Sequence, residues 1–468
     1  MKVDFSKLDR AFNPKCLVVV GGDPEGRWLG IKGKYNGKLY SVQVNPETAR
    51  AIEAKGIKNY TSLLDIPEPV DLVIVVAPRA AALKILEDCI AKEVAAVHFF
   101  TAGFSETDTE EGINLERSLT ERAKQANLHL IGPNSMGIYN PELGIGQIAW
   151  EYSGFAVPMA LISQSGTHAT TFGQQSHLQG MDIDKAVSFG NGNVLDSPDF
   201  LEYFGQDPEI KVIGMYLEGV KDGKRFLKVL REVAARKPVV IWKGGRTEEG
   251  DRAIASHTGS MAVSQTIWDA AVKQCGAAKV DGMEELIDTL KALLYLSPVR
   301  GNRVGIAGGS GGQSVAIADV FAEAGMKVPP LMKESYDELA TFFSLIGGGF
   351  RNPIDTGNAN RREIKRIMEI LEQDINIDNL VLLTGSRWGG IGTHEGDLDL
   401  MGGIRKITSK PVMAIVTFVL PEEMKTAMGE TRKFQERGIP AFFSTERGAR
   451  ALRNAFEYYR QKEGVFDS

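Results

Sequence analysis

The chain has 468 residues, enough for about three domains of ordinary size. Its content of 43% hydrophobic and 24% charged residues is that of a globular protein. Its net charge of −6 argues against nucleic acid or an anionic membrane as the main partner, because both require a basic surface.

The N-terminus and the cysteines bear on the compartment. The first twelve residues are charged and have no apolar core, so we predict no signal peptide. No apolar run reaches the ~18–20 residues of a membrane span. Cys16, Cys89 and Cys275 are far apart and form no CxxC motif, so we predict neither a metal site nor a disulfide framework. We therefore expect a cytoplasmic protein with free thiols.

Short apolar runs alternate with longer helical patterns along the whole chain. These runs are continuous, which predicts strands that are buried on both faces of parallel, doubly wound α/β sheets. The predicted strands are residues 17–20, 72–76, 95–100, 159–163, 212–217, 238–242, 303–307, 380–383 and 411–416. The 51 glycines are about 11% of the chain against a typical ~7%, which fits many tight turns between strands and helices.

An internal repeat divides the chain. Ser165-Gly166 recurs as Ser310-Gly311, and Gly180-Met181 recurs as Gly325-Met326 at the same spacing. Two related α/β domains are therefore expected to follow a first one. The predicted domains are residues 1–145, 146–298 and 299–468.

The first predicted domain carries turn residues at four strand ends. Gly21 and Gly22 follow the first strand and leave backbone N–H groups accessible to phosphate oxygens, and Arg27 is a candidate phosphate contact. Asn45, Pro78 and Asn134 lie at the other three ends. Ligands of open α/β sheets bind outside the carboxyl ends of strands. A plain βα turn explains any one of these loops equally well, but together they favour a nucleotide-like ligand.

The second predicted domain has two candidate groups at strand ends. Ser165, Gly166 and Thr167 open a helix directly after an apolar strand, and a helix N-terminus suits an anion. Helix capping by Ser165 or Thr167 is an alternative that requires no ligand. Glu218 closes another apolar strand, where it either orients or deprotonates a neighbour or is simply solvated.

His257 lies among the small polar residues 256–260, at a junction between a loop and a helix. Imidazole is suited to carry a phosphoryl group or a proton near neutral pH. The corresponding part of the second repeat, roughly residues 421–437, contains no histidine. The first repeat is therefore expected to be the active one, although a purely structural histidine is the alternative.

In this order the motifs resemble the α subunit, or α-type half, of the NDP-forming acyl-CoA synthetases. This family includes the ADP-forming acetyl-CoA synthetases and the succinyl-CoA synthetase α chain. The resemblance covers nearly the whole chain. The matching motifs are NPE at 45–47, TAGF at 101–104, GPNSMG at 132–137, SQSGT at 163–167, Glu218-Gly219, KGGRT at 243–247, SHTGS at 256–260 and GGSGG at 308–312.

The resemblance implies a CoA-binding Rossmann-like domain followed by two flavodoxin-like ligase domains. It implies a ligase that interconverts acyl-CoA, phosphate and NDP with acid, CoA and NTP, through acyl phosphate and phosphohistidine. His257 matches the phosphorylated histidine, and Glu218 matches the carboxylate that binds its imidazole. Ser165, Gly166 and Thr167 match the phosphate-binding turn. The implied CoA contacts are Gly21, Gly22, Arg27, Asn45, Pro78 and Asn134.

The family also implies partners. ATP or ADP, with Mg, is expected on an ATP-grasp β subunit, and a carboxylic acid or its acyl-CoA is the expected substrate. The chain is expected to form a hetero- or homo-oligomer. One departure is the segment after Arg27, where the usual first helix is shortened.

Two other functions are compatible with parts of the sequence. An NAD(P)-dependent oxidoreductase would share the Rossmann-like first domain, but GxGxxG is missing and Asn45 stands where an acidic residue is expected. A non-catalytic CoA-binding or CoA-sensing protein would share the fold. The presence of both His257 and Glu218 argues against it.

Overall fold

A computed structural model describes most of the chain. The described residues are 3–29, 35–146, 153–258, 265–309, 311–345, 348–357, 359–385, 395–418 and 420–464. At 251, 255–258, 311, 385 and 395 the description covers the backbone alone. None of the described helices combines the length and apolar character that a membrane-spanning helix needs.

Strands and helices alternate as the apolar runs predict, and each predicted strand has a counterpart. The strands are β1 (Cys16–Gly21), β2 (Lys38–Val42), β3 (Lys58–Tyr60), β4 (Leu72–Val76), β5 (Ala96–Phe99), β6 (His129–Ile131), β7 (Gly137–Tyr139), β8 (Ala156–Ser163), β9 (Asp182–Ser188), β10 (Val212–Leu217), β11 (Val239–Lys243), β12 (Ala278–Val280), β13 (Val304–Ala307), β14 (Asn379–Gly385), β15 (Val412–Thr417) and β16 (Ala441–Phe442).

The helices connect these strands. They are α1 (Phe5–Phe12), α2 (Pro46–Ala54), α3 (Ala82–Ala91), α4 (Glu110–Gln125), α5 (Gly166–Leu178), α6 (Ser197–Gln206), α7 (Gly223–Ala234), α8 (Glu248–Thr258), α9 (Gln265–Gln274), α10 (Met283–Tyr295), α11 (Gly311–Glu323), α12 (Lys333–Ala340), α13 (Ile364–Gln373), α14 (Glu395–Ile407), α15 (Met424–Glu436) and α16 (Thr445–Lys462).

The described chain forms two compact units. The first contains Met1–His177 and Asp182–Met283, and the second contains Leu178–Met181 and Glu284–Ser468. The first unit holds two sheets, built from β1–β6 and β7–β12, and the second unit holds one, built from β13–β16.

The first sheet has the strand order β3-β2-β1-β4-β5-β6, with every neighbouring pair parallel. This is the Rossmann order, in which ligands bind outside the carboxyl ends of the strands where the order reverses. The reversal lies between β1 and β4, the strands that end near Gly21 and Ala77. The fold therefore brings the predicted strand ends to one edge.

The connection from β1 to β2 contains no α-helix among its described residues, 22–29 and 35–37. Apolar side chains cover the sheet face instead. Trp28 packs 4.7 Å from the ring of Phe100 and 5.7 Å from that of His98, and Leu29 is buried. Tyr35 is buried too and donates its hydroxyl to the Pro14 carbonyl at 2.8 Å. The described residues of this connection thus cover part of the sheet face that a helix covers in most doubly wound sheets.

The second sheet has the order β12-β11-β10-β8-β9-β7. Its parallel strands β8–β12 follow the flavodoxin order, and β7 adds an antiparallel edge beside β9. Because β7 comes from residues 137–139, the chain enters this sheet before residue 145 and crosses back to it afterwards. The domain boundaries given above stay a prediction.

The third sheet has four strands among the described residues, in the order β13-β14-β15-β16. At the free side of β13, isolated parallel bridges join Arg303 to Lys327 and Ala307 to Ile354. The Asn352 side chain completes this edge, since it accepts the Ile306 N–H at 3.1 Å and donates to the Val304 carbonyl at 2.8 Å. A side-chain amide thus takes the hydrogen bonds that a further strand would make.

The second unit contains a lysine with no exposed surface. Lys291 of α10 donates to the Gln179 side-chain oxygen at 2.8 Å and to the Ala441 carbonyl at 2.9 Å. Its Nζ lies 3.8 Å from the carboxylate of Asp288, which also binds Arg447. Burial lowers the pKa of Lys291 to about 7, although the Asp288 charge opposes the shift.

This lysine predicts a pH dependence of stability. An unfolded lysine titrates near 10.4, so between pH 7 and 10 the unfolded chain binds one more proton and the free energy of unfolding rises by about 1 kcal/mol per pH unit. Lys291→Met removes this rise, whereas Lys333→Met at an exposed position retains it. Urea denaturation at pH 7.5 and 9.0 measures both slopes. Equal slopes for the wild type and Lys291→Met contradict the prediction.

Candidate functional site

The predicted residues of the first sheet meet along its carboxyl edge. At Gly21, whose φ is +84°, a Cβ would lie 3.0 Å from the backbone nitrogen of Ala77, directly before Pro78. The Gln43 side chain joins the next strand to this edge, because it donates to the Gly22 carbonyl at 3.4 Å and accepts the Asn45 N–H at 3.1 Å. Gly21, Gly22, Asn45 and Pro78 are thus neighbours at the edge.

Hydrogen bonds continue this edge to the end of β6. The Thr101 hydroxyl donates to the Ala77 carbonyl at 2.6 Å, and the Asn134 N–H donates to the Thr101 carbonyl at 3.0 Å. Asn134 has φ +56°, a left-handed conformation that asparagine tolerates better than most residues. Contacts between neighbouring residues therefore connect all four predicted strand ends, from Asn45 to Asn134.

Two predicted contacts also have structural roles. The Asn45 side-chain oxygen caps α2, since it accepts the N–H groups of Glu47 and Thr48 at 2.9 and 3.0 Å. The Arg27 side chain is 72% exposed and lies 3.3 Å from the carboxylate of Asp23. Its guanidinium is therefore accessible to a phosphate group but already has an acidic neighbour.

In the turn between β8 and α5, Ser165 caps the helix, as the capping alternative predicts. The Ser165 hydroxyl accepts the His168 N–H at 3.3 Å, while Ser163 donates its hydroxyl to the Ser165 carbonyl at 2.7 Å. The first backbone bond of α5 is from Ala169 to Ser165 at 3.1 Å. The N–H groups of Gly166 and Thr167 precede that bond, and such groups have no intrahelical partner. Capping and anion binding at this helix start are thus compatible.

The edge of the first sheet rests on this turn. A Cβ at Gly166 would overlap the side chain of Met136, which follows Asn134 by two residues. The Met136 N–H donates to the Ser188 hydroxyl at the end of β9, at 3.2 Å. The structure therefore brings the predicted CoA edge and the predicted phosphate turn into contact.

Glu218 follows β10 and is 6% exposed. Its backbone N–H donates to the Gln164 side-chain oxygen at 2.9 Å, and the same oxygen accepts the Gly219 N–H at 3.2 Å. The Lys243 ammonium donates to the Glu218 carbonyl at 2.8 Å. The carboxylate accepts the Tyr216 hydroxyl at 3.3 Å. Its backbone and side chain are therefore held by residues from β8, β10 and β11, next to the turn that starts α5.

Three rings form a cluster beside Glu218. The His168 ring centre lies 4.3 Å from that of Tyr216 and 4.7 Å from that of Trp242. Burial lowers the pKa of His168, and the Glu218 charge opposes this shift. A Cβ at Gly244 would come within 2.6 Å of the Tyr216 hydroxyl, so any other residue at 244 would displace that hydroxyl. Sequence reasoning missed these contacts, since aromatic strand residues resemble ordinary core, although Gln164 and Gly244 lie inside matched motifs.

His257 lies near the end of α8, and its side chain is outside the described residues, as are those of Ser256 and Thr258. The backbone of α8 passes beside the short 3-10 turn Ser105–Thr107, which follows the TAGF motif.

Comparisons with known proteins extend over both sheets of the first unit. A family described as the succinyl-CoA ligase like flavodoxin domain matches residues 156–293, and one described as a CoA binding domain matches residues 35–141. The α subunit of acetate–CoA ligase [ADP-forming] II from Pyrococcus furiosus is 33% identical over 470 residues, and 98% of each chain is aligned. This chain belongs to the family of ADP-forming acyl-CoA ligases.

Other members of the family differ in length. Acetate–CoA ligase [ADP-forming] I from Archaeoglobus fulgidus is 34% identical over 446 residues, which are 95% of this chain but 63% of that protein. The solved dinucleotide forming acetyl-coenzyme A synthetase 1 of Ca. Korarchaeum cryptofilum, in complex with phosphate and ADP, superposes with a TM-score of 0.84 at 29% identity, covering 98% of both chains. The predicted family and fold class are confirmed, and the oxidoreductase alternative gains no support.

The Gln164 contact predicts a stability effect. Gln164→Leu leaves two buried backbone N–H groups without their acceptor, so the free energy of unfolding falls by about 2–4 kcal/mol. Gln164→Glu keeps a side-chain oxygen in place and loses less. Chemical denaturation of both variants at pH 7.5 measures the difference. Wild-type stability in Gln164→Leu rules out this support for Glu218.

Proposed function

We propose that this chain is the α subunit of an ADP-forming acid–CoA ligase, which interconverts acyl-CoA, phosphate and ADP with acid, CoA and ATP. Family membership supports the reaction class, and a relative named as an α subunit aligns over 98% of its length. The observation that supports the proposal is the packing of Met136 on Gly166, because the proposed CoA edge then lies directly at a helix N-terminus. The thioester and the phosphate can then meet without a large movement.

The first sheet is proposed to hold CoA along its carboxyl edge. The phosphates lie at the turn after β1, and pantetheine runs along the strand ends to Asn134, so that the sulfur points to the turn before α5. Hydrogen bonds join the β4 end to Thr101 and Thr101 to Asn134. The sulfur is assigned to the Asn134 end because Met136 contacts Gly166 there. The proposed contacts are Gly21, Gly22, Arg27, Asn45, Pro78 and Asn134.

The turn of Ser165, Gly166 and Thr167 is proposed to hold the phosphate. Backbone N–H groups and the positive end of α5 stabilise its charge. A phosphate oxygen attacks the thioester carbonyl, the C–S bond breaks, and CoA leaves as a thiol after taking up a proton. An imidazole nitrogen of His257 then attacks the phosphorus of the acyl phosphate, and the acid leaves as its carboxylate.

Glu218 is proposed to orient His257. A buried carboxylate that accepts one imidazole N–H leaves the other nitrogen unprotonated for attack on phosphorus. The fixed backbone of Glu218 suits this role, because Gln164 and Lys243 hold it from two neighbouring strands. The phosphoryl group then passes from His257 to ADP.

An ATP-grasp β subunit is proposed to bind ATP or ADP with Mg and to complete the enzyme as a hetero-oligomer. Two relatives from Pyrococcus furiosus bear the name subunit alpha, and this chain covers 98% of each. A carboxylic acid or its acyl-CoA is the proposed substrate. The cytoplasmic location stays a prediction from the sequence.

The partner is tested by reconstitution. We expect the purified chain alone to form no acyl-CoA from acid, CoA and ATP, because the proposal assigns nucleotide binding to the β subunit. Adding the ATP-grasp subunit restores synthesis, measured as thioester absorbance with acetate as the first probe. Robust ATP-dependent synthesis by the chain alone contradicts this assignment.

His257 is tested by labelling. Incubation with radiolabelled ATP and the partner is expected to give an adduct on the chain that is stable to base and labile to acid, as phosphohistidine is. His257→Ala gives no label, and Glu218→Gln slows labelling about 100-fold, because the imidazole tautomer is no longer selected. Glu209→Gln, an exposed position before β10, is the matched control. Equal labelling of His257→Ala and the wild type places the phosphoryl group elsewhere.

A further inference from the structure

One buried amide, which is not among the predicted site residues, joins the two sheets of the first unit. Asn191 follows β9 and is 5% exposed. Its side-chain nitrogen donates to a carboxylate oxygen of Glu106 at 2.8 Å and to one of Glu116 at 2.7 Å. Both acids belong to the first-sheet domain, in the turn Ser105–Thr107 and in α4.

The chemistry of this junction selects asparagine. A primary amide nitrogen carries two hydrogens, so it supplies one to each carboxylate. Two carboxylates at one site repel each other unless they share a donor or a cation. A cation is close as well, because Lys221 donates to the backbone carbonyl of Asn191 at 2.6 Å. The reversed amide orientation would turn an oxygen towards both acids, so the nitrogen must face them.

Glu106 extends this hydrogen-bond network to the TAGF turn, which follows β5. The second oxygen of Glu106 accepts the backbone N–H groups of Gly103 and Phe104 at 2.6 and 3.1 Å. Burial raises the pKa of Glu106, but the hydrogen bonds from Asn191 and these two N–H groups outweigh it and leave the pKa below its usual value. The carboxylate therefore stays charged and holds the TAGF turn.

The backbone of Asn191 constrains the end of β6 as well. Its N–H donates to the Pro133 carbonyl at 3.1 Å. The preceding Gly190 has φ +54°, and a Cβ there would overlap the carbonyl oxygens of Pro133 and Asn134. One residue thus fixes two strand ends of the first sheet against the end of β9, where the Ser188 hydroxyl already holds Met136.

We infer that Asn191 is a positioning residue for the CoA-dependent half of the reaction. It sets the TAGF turn and the Asn134 loop at the distance from α5 that CoA needs in order to reach the phosphate turn. This inference rests on the proposed function, since it deepens the role given to the CoA edge. Phosphoryl exchange between His257 and nucleotide does not use that edge.

The test compares CoA affinity with nucleotide labelling in one set of variants. Asn191→Asp brings a third carboxylate against the other two, so we expect the CoA dissociation constant to rise at least tenfold in calorimetry on the full chain. Labelling from ATP with the partner stays within twofold of the wild type. Asn114→Asp makes the same charge change at an exposed position of α4 and leaves both measurements unchanged.

A triple variant separates positioning from damage to the fold. Glu106→Gln, Asn191→Asp and Glu116→Gln together restore two hydrogen bonds in the reverse direction, with one carboxylate between two amides. CoA affinity is expected to return to within threefold of the wild type, and this variant decides the matter if Asn191→Asp alone fails to fold. Circular dichroism monitors folding in every case.

The remaining outcomes contradict either the inference about Asn191 or the proposed function. Unchanged CoA affinity in Asn191→Asp, or no recovery in the triple variant, overturns the inference. An equal loss of CoA affinity and ATP labelling overturns it too, because the junction would then support α8, which lies beside the Ser105–Thr107 turn. If the wild type itself fails to bind CoA or to accept label from ATP, the proposed function fails instead.

Discussion

The absence of a side chain at Gly166 is the constraint on which the candidate site depends. Met136 occupies the space where a Cβ would lie, so the last loop of the first sheet sits on the first turn of α5. Any other residue at 166 would overlap the Met136 side chain and force it to move. A ligand that lies along the first sheet therefore ends at a helix N-terminus, where backbone N–H groups favour an anion.

At the carboxyl edge of the second sheet, hydrogen bonds from other strands hold the backbone of Glu218. Gln164 comes from the SQSGT motif, yet its side chain turns sideways and takes two N–H groups of the β10 end. The Lys243 ammonium, on β11, donates to the backbone carbonyl of Glu218. Because these partners are buried and paired, they restrict the conformation of the strand end. Such preorganisation is what stabilisation of a charged transition state requires.

The two repeats differ at the strand that lies beside the first strand of each repeat. In the second sheet β9 lies beside β8 and ends at Ser188, and the loop after it carries Asn191. At the matching side of β13 the described residues show isolated bridges and the Asn352 side chain. The loop that contains Asn191 and contacts the first sheet follows β9. The third sheet has no counterpart of β9 among its described residues.

The sequence by itself determined nine of the sixteen described strands, the fold class and the family. Continuous apolar runs become buried parallel strands, because each run has two faces to cover, and motifs such as SQSGT keep their order in any fold that contains them. Only the tertiary structure decided the partners of those motifs. Gln164 and Glu218 are 54 residues apart, and Asn191 is 85 residues from Glu106. Hydrogen bonds across such separations depend on the order of strands within a sheet and on how the two sheets pack. Neither periodicity nor spacing along the chain records that arrangement.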